Sequence, residues 1–140
     1  MAAQKGRSYS KPRVKKMKHS SLGLLEWSSR FTYLKNVPFG EDDFRSKGAK
    51  FQIVKFAPGV SVGKHFHRKT CEIFYVRSGN GLVRINGIEL RSSSDDFILC
   101  EPGDVHEIIN DTGEDFVILI SKTNEEEGDI CWCEVKENVT

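Results

Sequence analysis

From Lys50 onward the chain is a succession of short runs rich in valine, isoleucine, phenylalanine and tyrosine, each closed within a few residues by glycine, proline, asparagine or aspartate. Runs this short suit strands, whereas a legible amphipathic helix needs roughly ten or more residues free of breakers. The pattern predicts strands at Phe51 to Phe56, Val60 to His67, Glu72 to Val76, Gly81 to Ile85, Ile88 to Leu90, Phe97 to Cys100, His106 to Asn110, Phe116 to Ser121 and Ile130 to Val135. Asn86-Gly87 is the dipeptide that a two-residue type I′ hairpin requires, because both central residues take positive φ. Pro58-Gly59, Ser78-Gly79, Pro102-Gly103 and Asp111 to Glu114 mark further turns. Many short strands with few helix signals predict an all-β chain, either an antiparallel barrel or a two-sheet jelly roll that protects its edges by closing on itself. Residues 20 to 44, with Leu22, Leu24, Leu25, Trp27, Phe31 and Leu34, fit either a short helix or strands packed on this body.

A net charge of +1 hides an asymmetry: residues 1 to 18 hold seven Lys or Arg and no acid, leaving 14 basic against 20 acidic residues in the remainder. We expect a basic N-terminal arm over 1–19 and a single domain over 20–140. The arm reads as a solvated tail, a contact for nucleic acid or anionic lipid, or the remnant of a targeting peptide. It has no apolar core of the kind a secretory signal needs, which makes the cytoplasm the expected compartment. The longest apolar runs, such as Phe116 to Ile120, are far too short for a membrane span. Cys71, Cys100, Cys131 and Cys133 form no CxxC pair and are expected as reduced, buried thiols.

The chain has four histidines, and three of them cluster with a glutamate around this strand pattern. On a strand His65 and His67 share a face about 7 Å apart along the backbone. Glu72 opens the next strand and can return a carboxylate to the same interior, and His106 follows the Pro102-Gly103 turn, where a rim residue can be aimed inward. His19 is left in the arm. Taken singly each residue suits a structural role, but four metal-ligand types at this joint spacing predict one divalent transition metal, Fe, Mn, Ni, Zn, Co or Cu, held by His65, His67, Glu72 and His106. Three imidazoles with one carboxylate disfavour Mg and Ca.

Gly59-x5-His65-x-His67-x4-Glu72-x6-Gly79 and Pro102-Gly103-x2-His106-x3-Asn110 resemble the two motifs of the cupins, with the motif-bearing core at 50–120. The glycine expected before the second motif is replaced by Asp95-Asp96, and the proline abuts Gly103; neither change touches a candidate ligand. The resemblance implies a small antiparallel jelly-roll barrel (double-stranded β-helix) with the metal inside, held by His65, His67, Glu72 and His106, and a homodimer built through sheet contacts.

Strand parity from Glu72 puts Phe74 and Val76 on the metal's face and Cys71, Ile73 and Tyr75 on the other; parity from His106 brings Ile108 and Asn110 inward. Phe74, Ile108 and Asn110 are therefore expected to line a substrate cavity, although Asn110 suits the following turn equally well. On the neighbouring strand either Gln52, Val54 and Phe56 or their alternates Phe51 and Ile53 face inward. The expected activity is a metal-dependent enzyme of dioxygenase, isomerase or lyase type acting on a small polar or carboxylated molecule, with Glu72 as an acid-base group. The alternatives are a non-enzymatic module that senses a small ligand or metal while its arm contacts a partner, and a metal-free sugar-modifying enzyme using histidine. Lys64, Arg68 and Lys69 form a basic patch near the expected mouth.

Overall fold

The computed structural model describes residues 17–133. All but the last three residues of the expected arm over 1–19, and the end of the strand expected at Ile130 to Val135, lie outside the described residues. Eleven strands follow in chain order: β1 (Ser28–Arg30), β2 (Tyr33–Phe39), β3 (Lys50–Phe56), β4 (Ser61–Phe66), β5 (Cys71–Ser78), β6 (Leu82–Ile85), β7 (Ile88–Arg91), β8 (Phe97–Cys100), β9 (His106–Ile109), β10 (Phe116–Thr123) and β11 (Cys131–Trp132). The ambiguous stretch before Lys50 resolves into a 3-10 turn at Leu22–Leu24, the β1–β2 hairpin and one helical turn, α1 (Glu41–Phe44).

The strands form two antiparallel sheets, ordered β1-β2-β3-β10-β5-β8 and β11-β4-β9-β6-β7. Period-two alternation aims one side of each strand at the space between them. Val54, Phe56, Phe74, Val76, Phe116, Ile118 and Ile120 from the larger sheet meet Val62, Val83 and Ile108 from the smaller in one buried cluster. This is the jelly roll, one of the two architectures that the strand rhythm allows and the one that the family resemblance implies. No helix among the described residues is long and apolar enough to cross a membrane.

Local chemistry accounts for two of the joints. Asn86 and Gly87 take φ of 51° and 79°, and Ile85 pairs with Ile88 across them, as a type I′ hairpin demands. Gly79 has φ of 87°, and a Cβ there would lie 2.6 Å from the Asp115 carbonyl oxygen, so only glycine lets β5 end against the start of β10.

Strand β4 departs from simple alternation. Val62 and His65 are both buried although three positions apart, and the pairing with β9 shifts register between them. A bulge therefore absorbs one residue and turns Lys64 outward, leaving His65 opposite His106. His67 lies one residue beyond the end of the strand, not within it as expected. The cysteines also need correction: all four are free, but only Cys100 is buried, while Cys71, Cys131 and Cys133 are half-buried.

Candidate metal centre

At one end of the barrel the apolar core gives way to polar side chains. His65 and His106 face each other across β4 and β9, with ring centroids 4.1 Å apart; the His67 ring lies 5.4 Å from each. Glu72, the second residue of β5, enters from the larger sheet and is 4% exposed. Its two oxygens lie 3.5 Å from His67 Nε2 and 3.5 Å from His106 Nε2. Donor atoms of the three histidines lie within 4.8 Å of one another. The structure thus brings all four expected ligands to one place.

Each ring is held by the backbone. Nδ1 of His65 lies 2.7 Å from the Gly63 carbonyl oxygen, Nδ1 of His67 lies 2.7 Å from that of Asp129, and Nδ1 of His106 lies 2.9 Å from that of Asp104. A carbonyl oxygen can only accept, so all three rings carry a proton on Nδ1, and in the neutral form of each ring it is Nε2 that holds the lone pair. Burial, aided by the neighbouring His106, lowers the His65 pKa to about 4; burial also lowers that of His106. Both are neutral near pH 7. This donor set fits a divalent transition metal, since two donors about 2.1 Å from one ion span roughly 3.0–3.4 Å, close to the observed oxygen–nitrogen separations.

A cavity of about 600 Å³ opens onto these residues. Phe74 and Ile108 line it as expected, and of the two alternatives on β3 the structure places Gln52, Val54 and Phe56 on the cavity side. Asn110 is a correction. It is fully buried, but its amide donates to the Phe56 and Glu114 carbonyls at 2.8 and 2.7 Å and its oxygen accepts from the Thr112 amide and hydroxyl. All its polar capacity is consumed in the β9–β10 turn, so it holds the turn and does not reach the cavity.

Three contributors escaped the sequence reading. Lys122, on β10 beside Glu72, places Nζ 3.3 Å from a Glu72 oxygen and 3.1 Å from Glu125. Burial opposes its charge, but Glu72 and Glu125 outweigh that and raise its pKa. The signal was present: Phe116, Ile118, Ile120 and Lys122 alternate along one strand, so Lys122 inherits the inward face. Asp129 and Trp132 come from the segment after β10. Asp129 supplies the carbonyl that holds His67, and the Trp132 ring lies 4.9 Å from that of His65. No local pattern announces a loop carbonyl. Of the basic patch, Lys69 pairs with Glu126 at 3.0 Å on the exposed rim.

Comparison with known proteins places these features in a family. The cupin domain model matches residues 52–121. The "Oxalate-binding protein" of Thermotoga maritima is 30% identical over 79 residues, which cover 56% of this chain and 65% of that protein. Across three curated relatives the matched share runs from 65% down to 33% of their length, under two thirds in each. The crystal structure of a predicted oxalate decarboxylase from Thermotoga maritima superposes with a TM-score of 0.64 at 25% identity, covering 71% of this chain and 90% of that one. An uncharacterised conserved protein with a double-stranded β-helix domain from Klebsiella pneumoniae gives 0.68 at 19% identity, covering 86% and 100%, a likeness of fold alone.

Proposed function

The chain belongs to the cupin family, and from that premise we propose that its cavity is a divalent transition-metal centre that binds and transforms a small carboxylated molecule by dioxygenase, isomerase or lyase chemistry. The observation that carries this reading is the orientation of the rings: three separate backbone carbonyls fix Nδ1 of His65, His67 and His106, leaving three Nε2 atoms converging beside one carboxylate. Satisfied core histidines have no need of such agreement.

Charge favours an acidic substrate. Glu72 is the only carboxylate in the donor set and Lys122 already pairs with it, so a dication held there would leave the donor set itself with excess positive charge, although six carboxylates against four cations line the cavity as a whole. A substrate carboxylate offsets that excess. The relatives whose names refer to oxalate point the same way.

A bound metal would supply Lewis-acid polarisation of a substrate oxygen. The chain's own residues do the rest. His65, His67, His106 and Glu72 hold the site; Phe74, Ile108, Val54 and Ile120 form a dry wall that strengthens polar contacts inside it. Lys122 orients an acidic group, and Glu72, the only carboxylate among the described residues that is nearly fully buried, is positioned to take or return a proton at the reacting atom.

The name of the Thermotoga relative favours a second reading, a module that holds a small acid without converting it. Turnover separates the two. Protein purified without added metal should carry near-stoichiometric transition metal by elemental analysis, and a panel of small carboxylic acids should include one that is consumed with metal and spared after chelation. Metal content unaffected by His106→Ala sinks the metal centre. Tight, metal-dependent binding with no consumption assigns the binding module.

A further inference from the structure

Glu72 is the inner end of a row of alternating charges. Lys50 pairs with Glu125 at 2.5 Å, Glu125 with Lys122 at 3.1 Å, and Lys122 with Glu72 at 3.3 Å. Register sets Glu72, Lys122 and Lys50 side by side across β5, β10 and β3, and Glu125, two residues past the end of β10, bridges the two lysines. Side-chain exposure falls from 24% at Lys50 and 27% at Glu125 to 14% at Lys122 and 5% at Glu72. The row therefore runs from the cavity rim to the candidate ligands. Two cations and two anions leave it without net charge, so it is balanced before any metal arrives.

We propose that Lys122 is a counter-cation that stands in for the metal on Glu72, and that Glu125 retains this lysine when Glu72 is given up to a metal ion. The proposal rests on the metal-centre reading above and adds the element that sets its affinity. A carboxylate buried as deeply as Glu72 is costly without a cation beside it, and Lys122 removes that cost in the metal-free protein. The same charge opposes a dication. Lys122 Nζ and His67 Nε2 both face Oε1 of Glu72, at 3.3 and 3.5 Å, so ammonium and metal contend for one carboxylate oxygen. Like charges this close in a buried site repel strongly. Glu125 relieves the conflict without a new partner having to be found, because its contact with Lys122 already exists.

A lysine that only oriented Glu72 would behave in the opposite way. Groups that hold a metal ligand in place raise affinity, and their loss costs about 10–100-fold. Charge separates the two roles: orientation requires a hydrogen-bond donor at this position, whereas compensation requires a cation. Glu125 separates them again, since its ion pairs are with Lys50 and Lys122 and it reaches the ligands through Lys122.

Chelator competition for zinc, together with thermal melting of the metal-free protein, tests this on Lys122→Met, Lys122→Gln, Glu125→Gln and the double variant Lys122→Met/Glu125→Gln. Both Lys122 variants should bind zinc about tenfold or more tightly than wild type. Lys122→Met should also melt about 6 °C or more lower without metal, because Glu72 then lies buried beside no cation. Lower stability with tighter zinc binding is a pair of opposite signs that a merely structural lysine does not give. Glu125→Gln should weaken zinc binding about threefold or more in the wild-type background, where Lys122 is left to Glu72 alone, and less than about twofold in the Lys122→Met background. Weaker binding in Lys122→Met with wild-type affinity in Lys122→Gln would make the lysine an orienting donor and overturn the counter-cation. Unchanged affinity in both Lys122 variants, or a Glu125 effect undiminished in the double variant, overturns it as well. Should Lys122→Met fail to fold, Lys122→Gln carries the affinity comparison. His106→Ala, run in parallel, tells the two readings apart: zinc bound by wild type and lost in His106→Ala leaves the metal centre standing whatever Lys122 does, whereas a wild-type protein that takes up no zinc overturns both.

Discussion

Removing the Asp129 carboxylate is expected to damage the metal centre from a distance. One Asp129 oxygen accepts from the Arg68 amide at 2.9 Å; the other accepts from the Lys69 amide, the Thr70 amide and the Thr70 hydroxyl, each at 3.0 Å. These bonds tie the segment after β10 to the β4–β5 turn, and the same residue's carbonyl holds His67 Nδ1 at 2.7 Å. In Asp129→Ala the amides of Arg68 and Lys69 belong to exposed residues where water replaces most of what they lose, so we assign them a few tenths of a kcal/mol each. The amide and hydroxyl of Thr70, a residue 1% exposed, are left unpaired at a cost of about 1–3 kcal/mol each. The total of about 2–6 kcal/mol lowers the melting temperature by roughly 6–20 °C for a chain of this size. The His67 ring loses its anchored acceptor, and metal affinity should fall about 10–100-fold, the usual cost of disturbing a partner behind a ligand. Thr70→Val is the matched control: it deletes one hydroxyl, keeps Asp129 on the three amides, costs below about 1 kcal/mol and leaves metal affinity unchanged. Thermal denaturation of the metal-free protein and chelator competition for zinc report the two effects separately. Affinity within about threefold of wild type in Asp129→Ala would refute the orienting role.

Metal-free protein should lose stability on mild acidification. The folded His65 pKa of about 4 lies below its ordinary 6.5, so the unfolded chain takes up the proton first; this contribution is intact above about pH 7 and lost as pH falls from 6.5 towards 4, at a cost on the order of 3 kcal/mol. His106 is shifted in the same direction, and a melting temperature flat over that window would contradict the buried, neutral assignment. Gly81→Ala should cost about 1–3 kcal/mol in denaturant melts, because a Cβ at Gly81 would lie 2.1 Å from the Phe116 ring and the core there has no room to yield. Glu72→Gln removes the charge that Lys122 and the two nearby imidazoles face, and zinc competition should report at least about tenfold weaker binding; unchanged occupancy and activity would remove Glu72 from both roles.

The outline of the barrel was legible because period-two alternation and turn dipeptides are local properties. Phe97–Cys100 coincides with the expected strand, and most of the others differ by a residue or two at their ends. The histidine cluster was legible for a different reason: metal-ligand residue types are scarce, so their spacing stands out even where the strand geometry is misjudged. The bulge in β4 shows the limit. Alternation from Val62 points Lys64 inward, and only pairing with β9 shows that one residue is absorbed so that His65 faces His106. Asn110 failed similarly, since an inward-facing amide at a strand end can serve cavity or turn, and the choice lay with carbonyls on Phe56 and Glu114. The Nδ1 acceptors were beyond reach altogether, being backbone atoms of Gly63, Asp104 and Asp129 whose identity as residues is incidental.

Cys100 offers the centre a competing ligand set, and His106 decides between the two. Glu72, Cys100 and His106 also gather donor atoms within 4.8 Å, with Cys100 Sγ 3.2 Å from His106 Nδ1. But Glu72 and Cys100 meet opposite edges of the same ring: Nε2 faces Glu72, while Nδ1, the atom beside Cys100 Sγ, donates to the Asp104 carbonyl. Drawing in Cys100 would mean stripping that proton and breaking that bond, as well as ionising a thiol that burial, with Glu72 and Asp104 nearby, pushes up to about 12. The structure therefore predicts a centre with nitrogen and oxygen ligands, behind which Cys100 only packs. Cobalt-loaded protein should show no sulfur-to-cobalt charge-transfer band in the near ultraviolet, and Cys100→Ser should leave spectrum and affinity within about threefold of wild type. An intense band that disappears in Cys100→Ser would mean that His106 presents its other edge to the metal, and the tautomer assignment for that ring would have to be reversed.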